Sequence, residues 1–191
     1  MFWFVINSIK LIIITYIVLF ISDDLDWTRV RALMLCIAVF LLINQQVIKD
    51  VVKDERLILP SSTNIWDRRS IFLYQGLGPL GIFVFGALDH RFRITSITSI
   101  NTSWFGEPLS MFFFVFLCSL WTYIHVINPF YVRTFRIQYE RSFHIIQKGA
   151  YGIIRHPGYL IEALILLDLP LILNSWLAFI PAGCAVAVLF T

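Results

Sequence analysis

Long runs of apolar residues set the strongest constraint on what this chain can fold into. The first run covers residues 2–21 and contains one charged residue, Lys10. Further runs cover residues 30–48, 71–88, 108–127 and 158–190. A helix needs about 20 mostly apolar residues to cross a bilayer, and these runs have that length or come close to it. The sequence therefore predicts several membrane-spanning helices.

The composition favours a membrane protein over a soluble one. Hydrophobic residues make up 59% of the chain and charged residues 14%, against about 45–50% and about 25% in soluble domains. Disordered chains combine low hydrophobicity with high charge, so that class is excluded. The net charge of +3 is small, and basic residues do not alternate with aromatic ones, so no nucleic-acid partner is expected. The three cysteines have no paired spacing, which argues against a disulfide framework or a zinc site.

The last apolar run is too long for one span. Asn174-Ser175 divides it, which predicts a tight hairpin of two short helices, 158–173 and 175–190, interrupted by Pro170 and Pro181. The expected fold class is all-α, a polytopic transmembrane helical bundle of about six spans that ends in this hairpin. We expect one membrane domain with three parts: an N-terminal pair of spans with a cytosolic loop (1–70), central spans (71–128) and a C-terminal segment (129–191).

Lysine and arginine are divided unequally between the predicted loops. The loops 49–70 and 129–157 hold ten of these residues, whereas the loops on the other side and their edges hold four. Cytosolic loops carry the excess of positive charge, so the first side and both termini are assigned to the cytosol. A signal peptide is the alternative for the first run, but Ser22-Asp23-Asp24 is a poor cleavage site.

The longest polar stretch, residues 131–157, leads directly into the hairpin. Gly149 and Gly152 flank Tyr151 and indicate a bend. Proline suits the first turn of a helix because its missing N–H has no partner to lose there, so a helix is expected to begin at Pro157. Arg155 and His156 then lie at a helix N-terminus on the membrane surface, which favours an anion. An interfacial anchor that fixes the helix end is the alternative.

Two acidic residues lie inside the predicted hairpin. Tyr159 and Glu162 are three residues apart and share one face of a helix. A carboxylate within a span is a candidate functional group, although Glu162 lies near the helix start and could extend to the interface instead. Asp168 lies deeper, beside Pro170, and is interpreted as a polar residue near the far interface.

The remaining polar residues of the spans are interpreted as structural. Lys10 is assigned to helix packing or to the membrane interface. No metal site is expected, because three histidines have no partners at metal-ligand spacing: His90, His125 and His144.

The segment that leads into the hairpin contains a specific pattern: Gly149-x-Tyr151-x-x-Ile154-Arg155-His156-Pro157-Gly158-Tyr159-Leu160. This pattern resembles the signature of the isoprenylcysteine carboxyl methyltransferase family, whose wider group includes phospholipid N-methyltransferases. The resemblance covers residues 128–190 and is loose before them. Further similarity to bacterial members is carried by Asn128-Pro129-Phe130, Ile137-Gln138, Glu140-Arg141 and Trp66-Asp67-Arg68.

The resemblance implies a multi-pass membrane enzyme that transfers a methyl group from S-adenosylmethionine to a lipid or a prenylated acceptor. It implies a cofactor pocket on the cytosolic side, and a bacterial inner membrane rather than the endoplasmic reticulum. The arginine, histidine and tyrosine of the family motif match Arg155, His156 and Tyr159. The predicted catalytic residues are Arg155 and His156, and the predicted cofactor-binding residues are Tyr151, His156, Tyr159 and Glu162.

The sequence departs from the family pattern in two informative ways. Ile161 stands where a small residue usually follows the motif, and the chain ends at Thr191, where family members continue with an arginine, paired glutamates and a tail that closes over the cofactor. These departures predict a truncated member or a relative without the cofactor lid. The alternative function is therefore a non-catalytic membrane protein, and a nicotinamide-dependent membrane reductase is a third hypothesis.

Overall fold

The structure, a computed structural model, describes residues 2–47, 72–95, 106–128 and 147–190. These ranges contain no strand, which confirms the all-α prediction for them. A π-helical turn, Phe72–Leu77, leads directly into the third helix, and a short 3-10 helix, Gly149–Gly152, precedes the fifth. The α-helices within these ranges are α1 (Phe2–Ser22), α2 (Thr28–Val47), α3 (Gly78–Phe92), α4 (Gly106–Ile127), α5 (Pro157–Leu173) and α6 (Phe179–Leu189).

Several predicted features lie outside the described residues. They are most of the two predicted cytosolic loops, the side chain of Lys10, the Trp66-Asp67-Arg68 segment, His144 and the upstream similarity at Ile137-Gln138 and Glu140-Arg141.

The hairpin predicted at the end of the chain is present, but its second helix is shorter than expected. Asn174 ends α5 in a left-handed conformation with φ 56°, and its neighbour Ser175 donates its N–H to the carbonyl of Pro170 at 3.0 Å. The turn continues to residue 178, so α6 begins at Phe179 instead of residue 175. The prediction that Pro170 and Pro181 interrupt the two helices is wrong, because α5 runs through Pro170 and α6 contains Pro181. A proline removes one helical hydrogen bond, and both prolines lie near a helix end.

The helix α5 lies at the centre of the described bundle. It contacts α2, α3, α4 and α6, and apart from Glu162 and Asp168 its sequence is apolar, as expected for a helix without a solvent face. One continuous core cluster contains residues from all six α-helices. A second, smaller cluster joins α4 to α5 and includes Leu117, Trp121, Ile124 and Ile161.

Small residues allow α3 and α6 to pack closely. A Cβ added to Gly78 would lie 2.6 Å from Cβ of Ala185, and one added to Gly81 would lie 2.9 Å from Cβ of Pro181. Close backbone approach at small residues is a common way to pack apolar helices where the hydrophobic effect does not drive association. These two glycines of the third apolar run therefore serve a helix contact. The helix also continues to Phe92, beyond the predicted end at residue 88.

The described turns collect at two ends of the bundle. We call the end that carries the turns around residues 23–27, 93–95 and 174–178 the outer end. The opposite, inner end carries the last turn of α4, the 3-10 helix and the start of α5. Within the described residues, one helical stretch is long and apolar enough to cross a bilayer by length and composition, Pro108–Ile127, and two shorter apolar stretches are Leu11–Ser22 and Phe179–Leu189.

Candidate functional site at the inner end

A tight bend brings the chain to the start of α5, as the two flanking glycines predict. Gly149 has a left-handed backbone with φ 59°, a conformation in which a side chain is strained. A Cβ at Gly149 would also lie 2.8 Å from the hydroxyl oxygen of Tyr123, and one at Gly152 would lie 2.9 Å from the carbonyl oxygen of Gln147. The left-handed backbone favours glycine at position 149, and the close approach of a backbone carbonyl favours it at position 152.

The predicted start of α5 is confirmed. Pro157 is its first residue and His156 is the N-cap. The side chains of Arg155 and His156 are exposed at this end, beside the first turn of α5. The ring of His156 stacks on Tyr159 with centroids 5.5 Å apart and an angle of 16° between the planes. Arg155 therefore places a positive charge beside the N-terminus of α5, and this combination favours binding of an anion.

Glu162 faces α4 and does not extend to the interface. The indole N–H of Trp121 donates to Oε1 of Glu162 at 3.2 Å. Tyr159, one turn before Glu162, is half-buried and lies within electrostatic range of both Glu162 and Tyr151. The structure thus brings together four predicted cofactor-binding residues in one group, which we call the inner cluster: Tyr151, His156, Tyr159 and Glu162. Arg155 adjoins this cluster through its place in the chain.

Tyr151 contributes a neutral phenol to the inner cluster. It is half-buried and packs against the small core cluster between α4 and α5. Burial raises the pKa of Tyr151 above its ordinary value, and a side-chain hydrogen bond with Asn128 acts in the opposite direction. At neutral pH the hydroxyl therefore keeps its proton and can act as a hydrogen-bond donor.

Trp121 is the residue at this site that the sequence interpretation missed. Its ring is packed by His125, whose centroid lies 3.5 Å away, and Nδ1 of His125 lies 2.8 Å from the carbonyl oxygen of Trp121. Phe40 of α2 makes an edge contact with the same indole at 5.7 Å. A tryptophan inside a span has an N–H that must find an acceptor, and Glu162 is one of the few acidic side chains in the apolar runs. One indole donor and one carboxylate acceptor in neighbouring apolar runs could therefore have predicted this contact.

An apolar cavity of about 350 Å³ begins where Trp121 meets Glu162. It lies between α2, α4 and α5, and Pro79 of α3 contributes to it. Its remaining lining residues are Ile37, Phe40, Leu41, Phe114, Cys118, Ile165 and Leu166. Glu162 therefore belongs to the inner cluster and also lines the apolar cavity.

Asp168 lies in the second half of α5, toward the outer end, and its side chain is buried inside the bundle. Its exposed fraction is 3%, and its Oδ2 atom has no hydrogen-bond partner among the described residues. Because α5 is surrounded by other helices, depth along the helix alone does not predict exposure. Asp168 and Glu162 also point in different directions around α5, so Asp168 does not belong to the inner cluster.

A second group of polar residues stabilises the outer end, away from the predicted site. Asp89 of α3 accepts hydrogen bonds from the N–H of Thr95 at 2.6 Å, from the hydroxyl of Thr95 at 2.5 Å and from the hydroxyl of Ser175. Nε2 of His90 lies 3.0 Å from Oδ2 of Asp24, and the His90 ring stacks on Trp27 at 4.0 Å. These contacts join the α1–α2 turn and the α5–α6 turn to the end of α3, which is a structural role.

Comparison with known proteins gives no relative: no protein-family model, no curated protein and no solved structure matches this chain. Its function has to be argued from its own residues.

Proposed function

We propose that this protein is a multi-pass integral membrane methyltransferase that uses S-adenosylmethionine and acts on a lipid or a lipid-modified acceptor. One observation carries the proposal. The residues of the Arg-His-Pro-x-Tyr motif and the carboxylate of Glu162 meet at one end of the bundle, directly beside an apolar cavity. A soluble cofactor and a lipid chain could reach such a place from opposite sides.

The surface of the helices supports insertion in a bilayer. Large apolar side chains lie on the outside of α1, α2 and α4, among them Phe20 at 79%, Leu35 at 66% and Phe112 at 70% exposed. Soluble monomers rarely expose continuous apolar patches of this kind, whereas a lipid tail is an equally apolar neighbour. We infer about six spans, with the inner end in the cytosol because of the positive charge of the loops on that side.

The inner cluster fits the charges of S-adenosylmethionine. That cofactor supplies an electrophilic methyl group on a sulfonium cation. The aromatic rings of Tyr151 and Tyr159 and the carboxylate of Glu162 lie close together, and aromatic faces and carboxylates both attract cations. At the exposed start of α5, Arg155 has the planar fork that binds a carboxylate with two hydrogen bonds. The tyrosines and Glu162 would thus attract the sulfonium, and Arg155 would bind the amino-acid carboxylate of the cofactor.

Arg155 and His156 would act by position and not as an acid or a base. Arg155 binds and orients a carboxylate, and His156 fixes the ring of Tyr159 by stacking on it. The packed helices beyond Glu162 exclude water from the place where the lipid acceptor meets the methyl group. Alignment and water exclusion are the main contributions an enzyme can make to a displacement at a methyl carbon.

Calorimetric titration of S-adenosylhomocysteine into the detergent-purified chain tests this function. We expect a saturable heat that Arg155→Ala weakens strongly, since a charge-assisted pair is worth about 1.5–3 kcal/mol. Arg91→Ala is the matched control, because Arg91 lies at the outer end and pairs there with Asp23. If no heat is seen, or if both variants behave alike, the methyltransferase proposal fails and a non-catalytic membrane protein becomes the better account.

A further inference from the structure

We propose that the cavity between α2, α4 and α5 binds a single-chain lipid amine, with its hydrocarbon chain among the apolar side chains and its ammonium group at Glu162. The inference deepens the proposed function and rests on it for the reaction. The binding itself can be measured without any methyl transfer.

The size and lining of the cavity fit one hydrocarbon chain. Its volume of about 350 Å³ is at the small end of the range of about 300–1,000 Å³ that ligand sites occupy, which favours one chain over two. Ile37 and Leu41 of α2 line it and are half-buried, so the cavity reaches the side of the bundle that would face lipid. Phe114 and Leu166, which also line it, are buried.

The charge of the lining selects the polar end of the ligand. Among the described residues that line the cavity, Glu162 is the one with a carboxyl group. A carboxylate in apolar surroundings is stabilised by an opposite charge and destabilised by a like one. An ammonium group is therefore favoured at this position, and the carboxylate of a fatty acid or a prenylcysteine is disfavoured.

Trp121 fixes the direction of that charge. Its indole N–H holds Oε1 of Glu162 at 3.2 Å, and the indole ring itself lines the cavity. Packing by His125 and Phe40 keeps the ring in place. The carboxylate is thus held at the end of the cavity that adjoins Tyr159 and the inner cluster.

The carboxylate of Glu162 also provides the proton acceptor that methylation of an ammonium group needs. An ammonium group has no lone pair, so an N–H bond must first break, with the proton passing to Glu162 and the electron pair staying on nitrogen. That pair then forms the new N–C bond while the S–C bond of the cofactor breaks and its electron pair stays on sulfur. An acceptor carboxylate would need no such base.

Quenching of tryptophan fluorescence by brominated chains tests the inference. The full chain is purified in an uncharged detergent and titrated with 11-bromoundecylamine, 11-bromoundecanoic acid and 11-bromoundecanol at equal micellar mole fractions. The chain contains six tryptophans, so the signal from the cavity is the part of the quenching that Trp121→Phe removes. We expect that part to saturate with the amine at a concentration lower by about tenfold than with the acid or the alcohol.

Two variants separate charge from general destabilisation. Glu162→Gln should remove the preference for the amine, whereas Asp168→Asn, the same change at a residue of α5 that does not line the cavity, should keep it. Should Glu162→Gln not fold, the comparison of the three probes with the unaltered chain decides alone. Equal quenching by the acid and the amine, or quenching that does not depend on Trp121, overturns the inference.

The outcomes also separate this inference from the proposed function. Binding of S-adenosylhomocysteine without an amine preference would leave the methyltransferase proposal standing and remove the lipid amine. Amine binding at Trp121 without cofactor binding would support the lipid site and remove the methyltransferase.

Discussion

Trp121 and Glu162 are joined across the α4–α5 interface by a hydrogen bond of 3.2 Å from the indole N–H to Oε1. The two residues are 41 positions apart in the chain, and the contact sets how α4 is rotated against the central helix. The contact lies beside the apolar side chains of the small core cluster, where a hydrogen bond is screened less by water than at the surface. It also holds the carboxylate where it lines the apolar cavity.

Trp121→Phe should destabilise the folded protein by about 1.5–3 kcal/mol, because a part-buried hydrogen bond to a carboxylate is lost and the smaller ring leaves a gap in the packing. Thermal unfolding in detergent, followed by circular dichroism, measures the change. Trp176→Phe is the control, since Trp176 is 52% exposed at the outer end and should change the midpoint little. In a double-mutant cycle with Glu162→Gln, the two effects should not add. Additive effects would show that the hydrogen bond contributes nothing to stability.

The sequence predicted the helices better than their relative rotation. It placed α1 within one residue of its observed end at Ser22 and predicted the turn at Asn174 and the start at Pro157, since apolar run length, proline and a left-handed residue are local signals. The pairing of Asp89 with Ser175, 86 positions away, has no local signal. Helices that are apolar all round have no polar face to indicate which side meets which neighbour.

In the candidate site, too, the local arrangement could be predicted from the sequence and the contacts between helices could not. Tyr151, His156 and Tyr159 lie within one bend and one helical turn, so their closeness follows from spacing alone. The partner of Glu162 and the cavity beside it depend on how α2 and α4 pack on α5, which spacing does not determine.

Asp89→Ala should destabilise the protein by about 3 kcal/mol, because the carboxylate accepts several hydrogen bonds from buried or half-buried donors. Its loss would leave Ser175 and the N–H of Thr95 without their acceptor. Asp26→Ala is the matched control, since the side chain of Asp26 is 91% exposed in its ion pair with Arg31, and exposed pairs contribute about 0–1 kcal/mol. Denaturant unfolding of both variants in the same detergent gives the comparison, and equal losses would argue against a fastening role for Asp89.

Gly149→Ala should weaken binding of S-adenosylhomocysteine and lower stability by about 1–2 kcal/mol, because a side chain is strained at φ 59°. The added Cβ would also meet the hydroxyl of Tyr123 and displace the bend that carries Tyr151. Gly183→Ala is the control in α6: its Cβ would meet nothing within 4 Å, so stability should stay the same or rise by up to about 1 kcal/mol. Calorimetric affinity and the unfolding midpoint are measured for both. Unchanged affinity in Gly149→Ala would separate the bend from the cofactor site.

Arg155→Lys should impair methyl transfer more than Tyr159→Phe does. Arg155→Lys keeps the positive charge but loses the planar fork that can bind a carboxylate with two hydrogen bonds, an interaction worth about 1.5–3 kcal/mol. Tyr159→Phe keeps the ring that stacks on His156 and most of its attraction for a cation, which is about 0.5–2 kcal/mol in all. Both variants should still insert, because Arg155 precedes α5 and a phenylalanine at position 159 is compatible with a span. Transfer of labelled methyl groups from S-adenosylmethionine into a total membrane extract measures the turnover. If Arg155→Lys retains normal turnover, Arg155 is an interfacial anchor and the anion site at the start of α5 has to be withdrawn.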